Sequence, residues 1–182
     1  QAEIRKSTAS LTSLLENMLE LSKLISTEEL LPLAETDVCL ICAERLELQK
    51  ALNANPSVEY SFESIEGGGS CVVPTNAVYL TRVIDNLLQN AAKFTAAGRI
   101  TLACHDDRTN RMLRISVSDT GIGIPPEKRE WVFERFTKVD PFKPGTGIGL
   151  YLCRLVVTRL GGDIHVCPEY EGGCCIRISL PY

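Results

Sequence analysis

The first segment carries a stripe in alternating four- and three-residue steps: Ile4, Thr8, Leu11, Leu15, Met18, Ser22 and Ile25, widened by Leu14, Leu21 and Leu24. That period belongs to a long helix. A helix with so much apolar surface needs another to cover it, and too little chain before Thr36 remains to supply one of equal length. The expectation is a partner chain, or a helix on the N-terminal side. Ser26-Thr27-Glu28-Glu29, followed by Leu30-Leu31-Pro32, reads as a helix end and a short connector.

From Thr36 the pattern changes. Thr36 or Asp37 caps a helix to about Asn53, with Val38, Ile41, Cys42, Leu46 and Leu52 facing inward. Val58, Tyr60 and Phe62 alternate as a strand, Gly67-Gly68-Gly69 turns, and Cys71 to Val73 returns as another strand. Pro74-Thr75-Asn76 opens a helix reaching about Thr95. Strands follow near Arg99–His105 and Arg111–Ser118, joined by the turn-prone Asp106–Asn110. A Gly- and Pro-rich loop leads to a short helix around Glu127–Phe136, then irregular chain from Thr137 to Gly147 and a helix to about Leu160. Strands near Asp163–Cys167 and Cys174–Leu180 close the chain. Helices and mostly antiparallel strands in this proportion predict an α/β sandwich: a mixed sheet covered on one face by helices, with an extended helix at the N-terminus.

Composition changes this picture little. At 182 residues, 45% apolar and 23% charged, the chain has the make-up of an ordinary globular protein. A net charge of −4 argues against bulk nucleic-acid binding, and no apolar run is long enough to span a bilayer. Cys39 and Cys42 form a C-x-x-C with no second such pair or His pair at zinc-finger spacing. Cys39, Cys42, Cys71, Cys104 and Cys153 sit among apolar neighbours and read as reduced thiols used as small hydrophobes, which suggests a reducing compartment. Cys174 and Cys175 are adjacent on a strand and point to opposite faces.

The candidate chemistry lies in four segments. Asn86, Asn90 and Lys93 stand at i, i+4 and i+7, so they share one helical face beside the apolar Val83, Leu87 and Ala91. Carboxamide oxygens ligate Mg²⁺ and an ammonium meets phosphate as a point charge; the competing reading is a solvated polar face. Asp119-Thr120-Gly121-Ile122-Gly123-Ile124 follows the strand through Leu113, Ile115 and Val117. It places a carboxylate at a strand end, and glycines where backbone can approach a planar ring. Val132-Phe133-Glu134-Arg135-Phe136 is hydrophobic packing with a charged edge. Gly145-Thr146-Gly147-Ile148-Gly149-Leu150 enters a helix, whose exposed amides favour anions. It is neither a Walker loop nor a dinucleotide fingerprint.

Together, in this order and spacing, the four segments resemble the N, G1, F and G2 boxes of the catalytic ATP-binding domain of sensor histidine kinases, in the group shared with gyrase, Hsp90 and MutL. The resemblance covers roughly residue 36 to the end. Residues 1–31 resemble the second helix of that family's dimerisation and phosphoacceptor hairpin, and 36–182 the catalytic domain. The resemblance implies ATP and Mg²⁺. Asn90 holds the metal, Asn86 places phosphate or metal-bound water, Lys93 meets phosphate and Phe94 lines the adenine pocket. Asp119 recognises the adenine amine with Gly121 and Gly123 against the base. Gly145, Thr146, Gly147, Gly149 and Leu150 contact the phosphates through backbone groups, and Lys138 lies near the γ-phosphate. It further implies in-line transfer to a histidine, a homodimer, a receiver-domain partner, and a cytoplasmic location as part of a membrane-bound bacterial sensor. No nucleic-acid or membrane contact is implied for these residues.

Only His105 and His165 are available as acceptors. His105-Asp106-Asp107-Arg108-Thr109-Asn110 imitates the family's acceptor motif, but it falls after the N box, between alternating strands, where a hairpin turn is the ordinary explanation. His165 alternates out of a strand. The expectation is therefore a piece beginning just after the true acceptor helix, able to bind Mg-ATP but not to phosphorylate itself. The segment Thr137–Pro144 is a short lid, in which Phe142-Lys143-Pro144 replaces a polar, glycine-rich run. Two other classes compete: a nucleotide-dependent interaction module without phosphotransfer, and a serine kinase of the anti-sigma type, against which the leading helix weighs.

Overall fold

The computed structural model describes residues 12, 15, 16, 18, 19, 22–26, 31–64, 70–143 and 145–182. The stripe positions Ile4, Thr8, Leu11, Leu14 and Leu21, and the Gly67–Gly69 turn, lie outside the described residues. Of the rest of the stripe, Leu15, Met18 and Ile25 are exposed, as is Leu19 beside it, while Leu24 is buried and its carbonyl accepts a bond from Arg159 Nη2 at 2.6 Å. The apolar face is thus largely uncovered at the described positions.

The chain enters the globular part through a strand, β1 (Ala34–Asp37), that the alternation did not reveal because it is four residues long and half exposed. It pairs antiparallel with β3 (Val72–Thr75) in a small separate sheet. Between them lie helix α1 (Val38–Leu52) and strand β2 (Val58–Ser64). The Asp37 carboxylate caps α1 by accepting from the Leu40 amide at 3.2 Å. Val38, Cys42 and Leu46 are buried as expected, but Ile41 is only half-buried and Leu52 is exposed, because the helix ends at the surface there. The strand around Cys71–Val73 also differs from the expectation. It does not return onto β2; β2 instead pairs parallel with β4 (Gly98–Asp107).

The main sheet has the order β2-β4-β5-β7-β6, with β5 (Met112–Asp119), β6 (Asp163–Val166) and β7 (Cys174–Pro181), and every pair except β2–β4 is antiparallel. Its inward positions alternate: Ile100, Leu102 and Cys104 on β4, and Leu113, Ile115 and Val117 on β5, are all essentially solvent-free. Helix α2 (Ala77–Phe94) is the central one of three on that face, flanked by α1 and by α3 (Gly149–Arg159). It buries Leu80, Val83, Ile84, Leu87, Leu88 and Ala91, a stripe at helical period, and Asn76 caps it through the Tyr79 amide. The helix expected around Glu127–Phe136 resolves into two single 3₁₀ turns, Pro126–Lys128 and Trp131–Phe133. The sandwich is the predicted one, and no helix among the described residues is long and apolar enough to cross a membrane.

Candidate functional site

The alternation of β5 continues one step beyond Val117 and puts Asp119, a carboxylate, on the inward face at the strand end. It is 5% exposed. Burial pushes its carboxyl above the ordinary 3.8, against the opposing pull of the Gly121 and Cys174 amides and the Thr95 hydroxyl. The Gly121 amide donates to Oδ1 at 2.9 Å. The Thr95 hydroxyl, also buried, lies beside this carboxylate yet makes no hydrogen bond of good geometry. A buried carboxylate with spare acceptor capacity next to an orphaned hydroxyl is a site awaiting a polar ligand.

Glycine is required where this loop meets its neighbours. A side chain at Gly121 would stand 2.3 Å from the Phe94 carbonyl oxygen, so the loop seats directly on the end of α2. Gly173, at φ +151°, presses on the other side: a Cβ there would meet the Asp119 carbonyl oxygen at 2.2 Å. Tyr170 adds a clamp, its hydroxyl donating to the Asp119 carbonyl at 3.1 Å. Sequence reasoning missed Tyr170; it read Gly172-Gly173 as a matter of packing, and Gly173 does pack, against the backbone of the site.

The N-box face lies over the glycine loop. Asn86 Nδ2 donates to the Arg82 carbonyl at 3.2 Å, and its Oδ1 lies 3.0 Å from where a Gly149 side chain would begin. Asn90, half-exposed, has no side-chain hydrogen bond among the described residues, and it lies one turn further along the same face. Lys93 Nζ stands 2.9 Å from a Cβ placed on Gly145 and 4.7 Å over the Phe94 ring. Burial first, then the like charges of Lys138 and Lys143, hold its ammonium below the ordinary value, with Asp140 opposing. Lys143 Nζ also donates to the Lys93 carbonyl at 3.4 Å. The chain thus gathers Lys93, Lys138 and Lys143 beside a glycine loop.

The loop itself, Gly145-Thr146-Gly147-Ile148, runs into α3, whose first turn has no side-chain cap. The Ile148 amide reaches the Thr146 hydroxyl at 3.4 Å, a long contact, so the first-turn amides remain available to an anion. Leu150 packs against the core, leaving its backbone to the loop side. A side chain at Gly147 would collide with Phe136 and Thr137 backbone at 2.7 Å, which shows how closely the loop folds over the F box. That box is anchored by buried Val132 and Phe133, with Arg154 4.3 Å over the Phe133 ring, and Thr137 Oγ1 donates back to the Glu134 carbonyl at 2.9 Å. Pro144 lies outside the described residues.

All the residues singled out from the sequence therefore border one region: Asn86, Asn90, Lys93 and Phe94 on α2, Asp119, Gly121 and Gly123 after β5, Lys138 in the lid, and Gly145, Thr146, Gly147, Gly149 and Leu150 at the head of α3. His105 is not among them. It lies within β4, opposite Arg114, on a strand rather than a helix. The strand extends to Asp107, so the tight turn is shorter than expected. His165, on β6, pairs its Nδ1 with Asp163 Oδ2 at 3.2 Å.

Known proteins share the sequence and the fold that carry this region. Residues 75–182 match the family described as histidine kinase-, DNA gyrase B-, and HSP90-like ATPase. Sensor protein SrrB of Staphylococcus aureus is 38% identical over 107 residues, which are 56% of this chain and 18% of SrrB; the chain thus spans under a fifth of that relative's length. Full-length ShkA, solved in complex with AMPPNP, superposes with a TM-score of 0.86 at 26% identity, over 97% of this chain and 37% of that one. The histidine kinase ThkA in complex with the response regulator TrrA superposes with a TM-score of 0.76 at 25% identity, over 96% of this chain and 48% of that one. The chain belongs to the histidine kinase-, DNA gyrase B- and HSP90-like ATPases, and within them it is similar to the ATP-binding catalytic domains of sensor histidine kinases.

Proposed function

We propose that this chain binds Mg-ATP and presents the γ-phosphate to a histidine outside these 182 residues, on a helix of the same protein or its dimer mate. The observation that carries the reading is the convergence of Lys93, Lys138 and Lys143 on the glycine loop, where burial and mutual repulsion already depress the Lys93 pKa. A polyanion relieves that repulsion and an uncharged ligand does not.

The residues fit the ligand. Asp119 accepts from the adenine amine, and the orphaned Thr95 hydroxyl takes part in the same network, directly or through water. Phe94 and the Gly121–Gly123 backbone line the base. The uncapped first turn of α3, with Gly145, Thr146, Gly147, Gly149 and Leu150, donates backbone amides to phosphate oxygens. Asn90 supplies a carboxamide oxygen to Mg²⁺, and Asn86 positions phosphate or metal-bound water. Lys93 neutralises phosphate charge, and Lys138 does so nearest the transferring group. The nucleotide supplies the phosphoryl group; the protein supplies position and positive charge in a partly desolvated site.

Residues 1–31 then serve as the second helix of a dimerisation and phosphoacceptor hairpin in a homodimer, which accounts for the exposed Leu15, Met18, Leu19 and Ile25. A receiver domain is the downstream partner, as the ThkA–TrrA complex illustrates for that kinase, and the whole is the cytoplasmic part of a bacterial membrane-bound sensor. Mixing the chain with a separate acceptor hairpin and γ-labelled ATP tests the transfer: acid-labile label is expected on the hairpin alone. Phosphohistidine at His105 or His165 of this chain, or an unlabelled hairpin beside bound nucleotide, overturns it.

A further inference from the structure

Away from the nucleotide region, cysteines far apart in sequence meet at one point. Cys39 lies in the first turn of α1, Cys71 just before β3, and Cys104 on the inward face of β4. Their Sγ atoms all lie within 4.8 Å of one another. Cys42, one helical turn from Cys39 and on the same face, lies beside Cys104, but its sulphur is not one of the three that stand within 4.8 Å of one another. Cys42, Cys71 and Cys104 are buried, while Cys39 is half-exposed and gives the cluster a side open to solvent.

The sequence reading treated these thiols as scattered small hydrophobes. That explains a single buried cysteine, but not sulphur atoms from three separate elements gathered around one centre. Thiolates around a tetrahedral zinc, at about 2.3 Å from the metal, stand roughly 3.8 Å apart, so the observed spacing needs only a small contraction. The Cys39 sulphur neighbours the other thiols, the Ser64 hydroxyl at 3.7 Å and the Asp37 carboxylate. Among the described residues no His or carboxylate joins the cluster within that spacing. An all-sulphur donor set selects thiophilic cations and rejects Mg²⁺ and Ca²⁺.

We propose that Cys39, Cys71 and Cys104 form a site for a thiophilic divalent cation of the zinc type, each supplying one thiolate. On binding, each thiol yields its proton to solvent and its sulphur donates an electron pair to the metal, with no change of oxidation state. Its place in the fold gives it a task. The Val38 amide donates to the Cys71 carbonyl at 2.8 Å, and the Cys71 amide to Asp37 Oδ1 at 3.3 Å, so the start of α1 and the approach to β3 already meet. The cation clamps this junction, through which the chain passes from its leading segment into the domain, onto the main sheet at Cys104.

The test uses the protein reduced and handled without oxygen, titrated with Zn²⁺, and with Co²⁺ as a spectroscopic probe. One equivalent of Zn²⁺ is expected per chain, with a higher Tm that chelation reverses. Co²⁺ is expected to give the thiolate charge-transfer and visible bands of a tetrahedral sulphur site. Cys39→Ser, at the exposed edge where folding is least disturbed, is expected to lose at least ~100-fold in affinity, beyond the usual cost of an outer-shell change. Cys71→Ser is expected to lose as much, whereas Cys153→Ser, elsewhere in the core, leaves uptake intact. Circular dichroism confirms that each variant is folded. Failure of the reduced wild-type protein to take up a stoichiometric metal, or equal loss in Cys153→Ser, overturns the site. Nucleotide binding is read independently and does not enter the result.

Discussion

The two ends of strand β4 carry opposite kinds of exception to a hydrocarbon core. At its start, Ile100 lies opposite Asp119, and polar groups are held without full pairing: a buried carboxylate raised by desolvation, a buried Thr95 hydroxyl and a half-buried lysine held below its ordinary value. Toward its other end Cys104 lies opposite Ile115, and thiols meet in place of side chains that would fill space with carbon. The helices and the sheet face are common to both ends. The difference teaches where this fold tolerates cost: near Asp119 a carboxylate is kept desolvated, while the thiols at the opposite end stay neutral at no such cost.

The strongest way to break the comparison is to remove what both ends share. Leu102, fully buried midway along β4, should cost about 2–5 kcal/mol when changed to Ala, in the range of buried Leu truncations. Chemical denaturation reads the loss, and both ends should loosen together. A variant that kept its stability would mean that the ends are not braced through one sheet.

Asp119→Asn separates function from stability at the nucleotide end. It keeps an acceptor for the Gly121 amide but removes the charge, so nucleotide affinity should fall by about 1.5–3 kcal/mol, the worth of a charge-assisted hydrogen bond. The fold should not weaken at neutral pH, because the substitution also removes a desolvated carboxylate. Equal loss of Tm and affinity would contradict the assignment.

The pH dependence sharpens the same point. The Asp119 pKa is raised, so the folded state holds that proton more tightly than the unfolded chain. Between the ordinary 3.8 and the raised value, its contribution to stability falls as pH rises. Nucleotide affinity should move the other way and weaken as pH falls through the raised value, because protonation removes the acceptor charge. Affinity measured across weakly acidic buffers checks this; a flat profile would deny Asp119 its role.

Smaller effects follow for the cations. Lys93→Gln should lower triphosphate affinity by about 1 kcal/mol while flattening its salt dependence, as expected for a partly solvated charge. The same change should slightly favour the empty fold, since Lys138 and Lys143 lose a repelling neighbour. Smallest of all, Arg45→Met removes the two-pronged bridge to Asp85 that ties α1 to α2, at 2.7 and 2.8 Å. Both side chains are over a quarter exposed, so the cost should be under about 1 kcal/mol.

The two ends also differed in how far the sequence revealed them. The nucleotide end was legible because its groups are local: Asn86 to Lys93 share one helix, Asp119 to Gly123 one turn, and Gly145 to Gly149 one loop, each with its own spacing. Helix caps at Asp37 and Asn76 were legible for the same reason. What escaped depends on long-range pairing. Periodicity does not fix partners, so β3 was expected beside β2 although it pairs with β1. Tyr170 and Gly173 press on Asp119 from some fifty residues away, a distance no local motif spans. The thiol cluster draws on positions 39, 71 and 104, and becomes visible only when α1, β3 and β4 converge.

The account rests on the polar end of β4 being a nucleotide pocket, and calorimetric titration with a non-hydrolysable ATP analogue tests it most directly, with and without Mg²⁺ and against Asp119→Asn. One saturable site is predicted, strengthened by Mg²⁺ and weakened at least tenfold in the variant. No binding to the folded wild-type chain, or binding indifferent to both Mg²⁺ and Asp119, would contradict it.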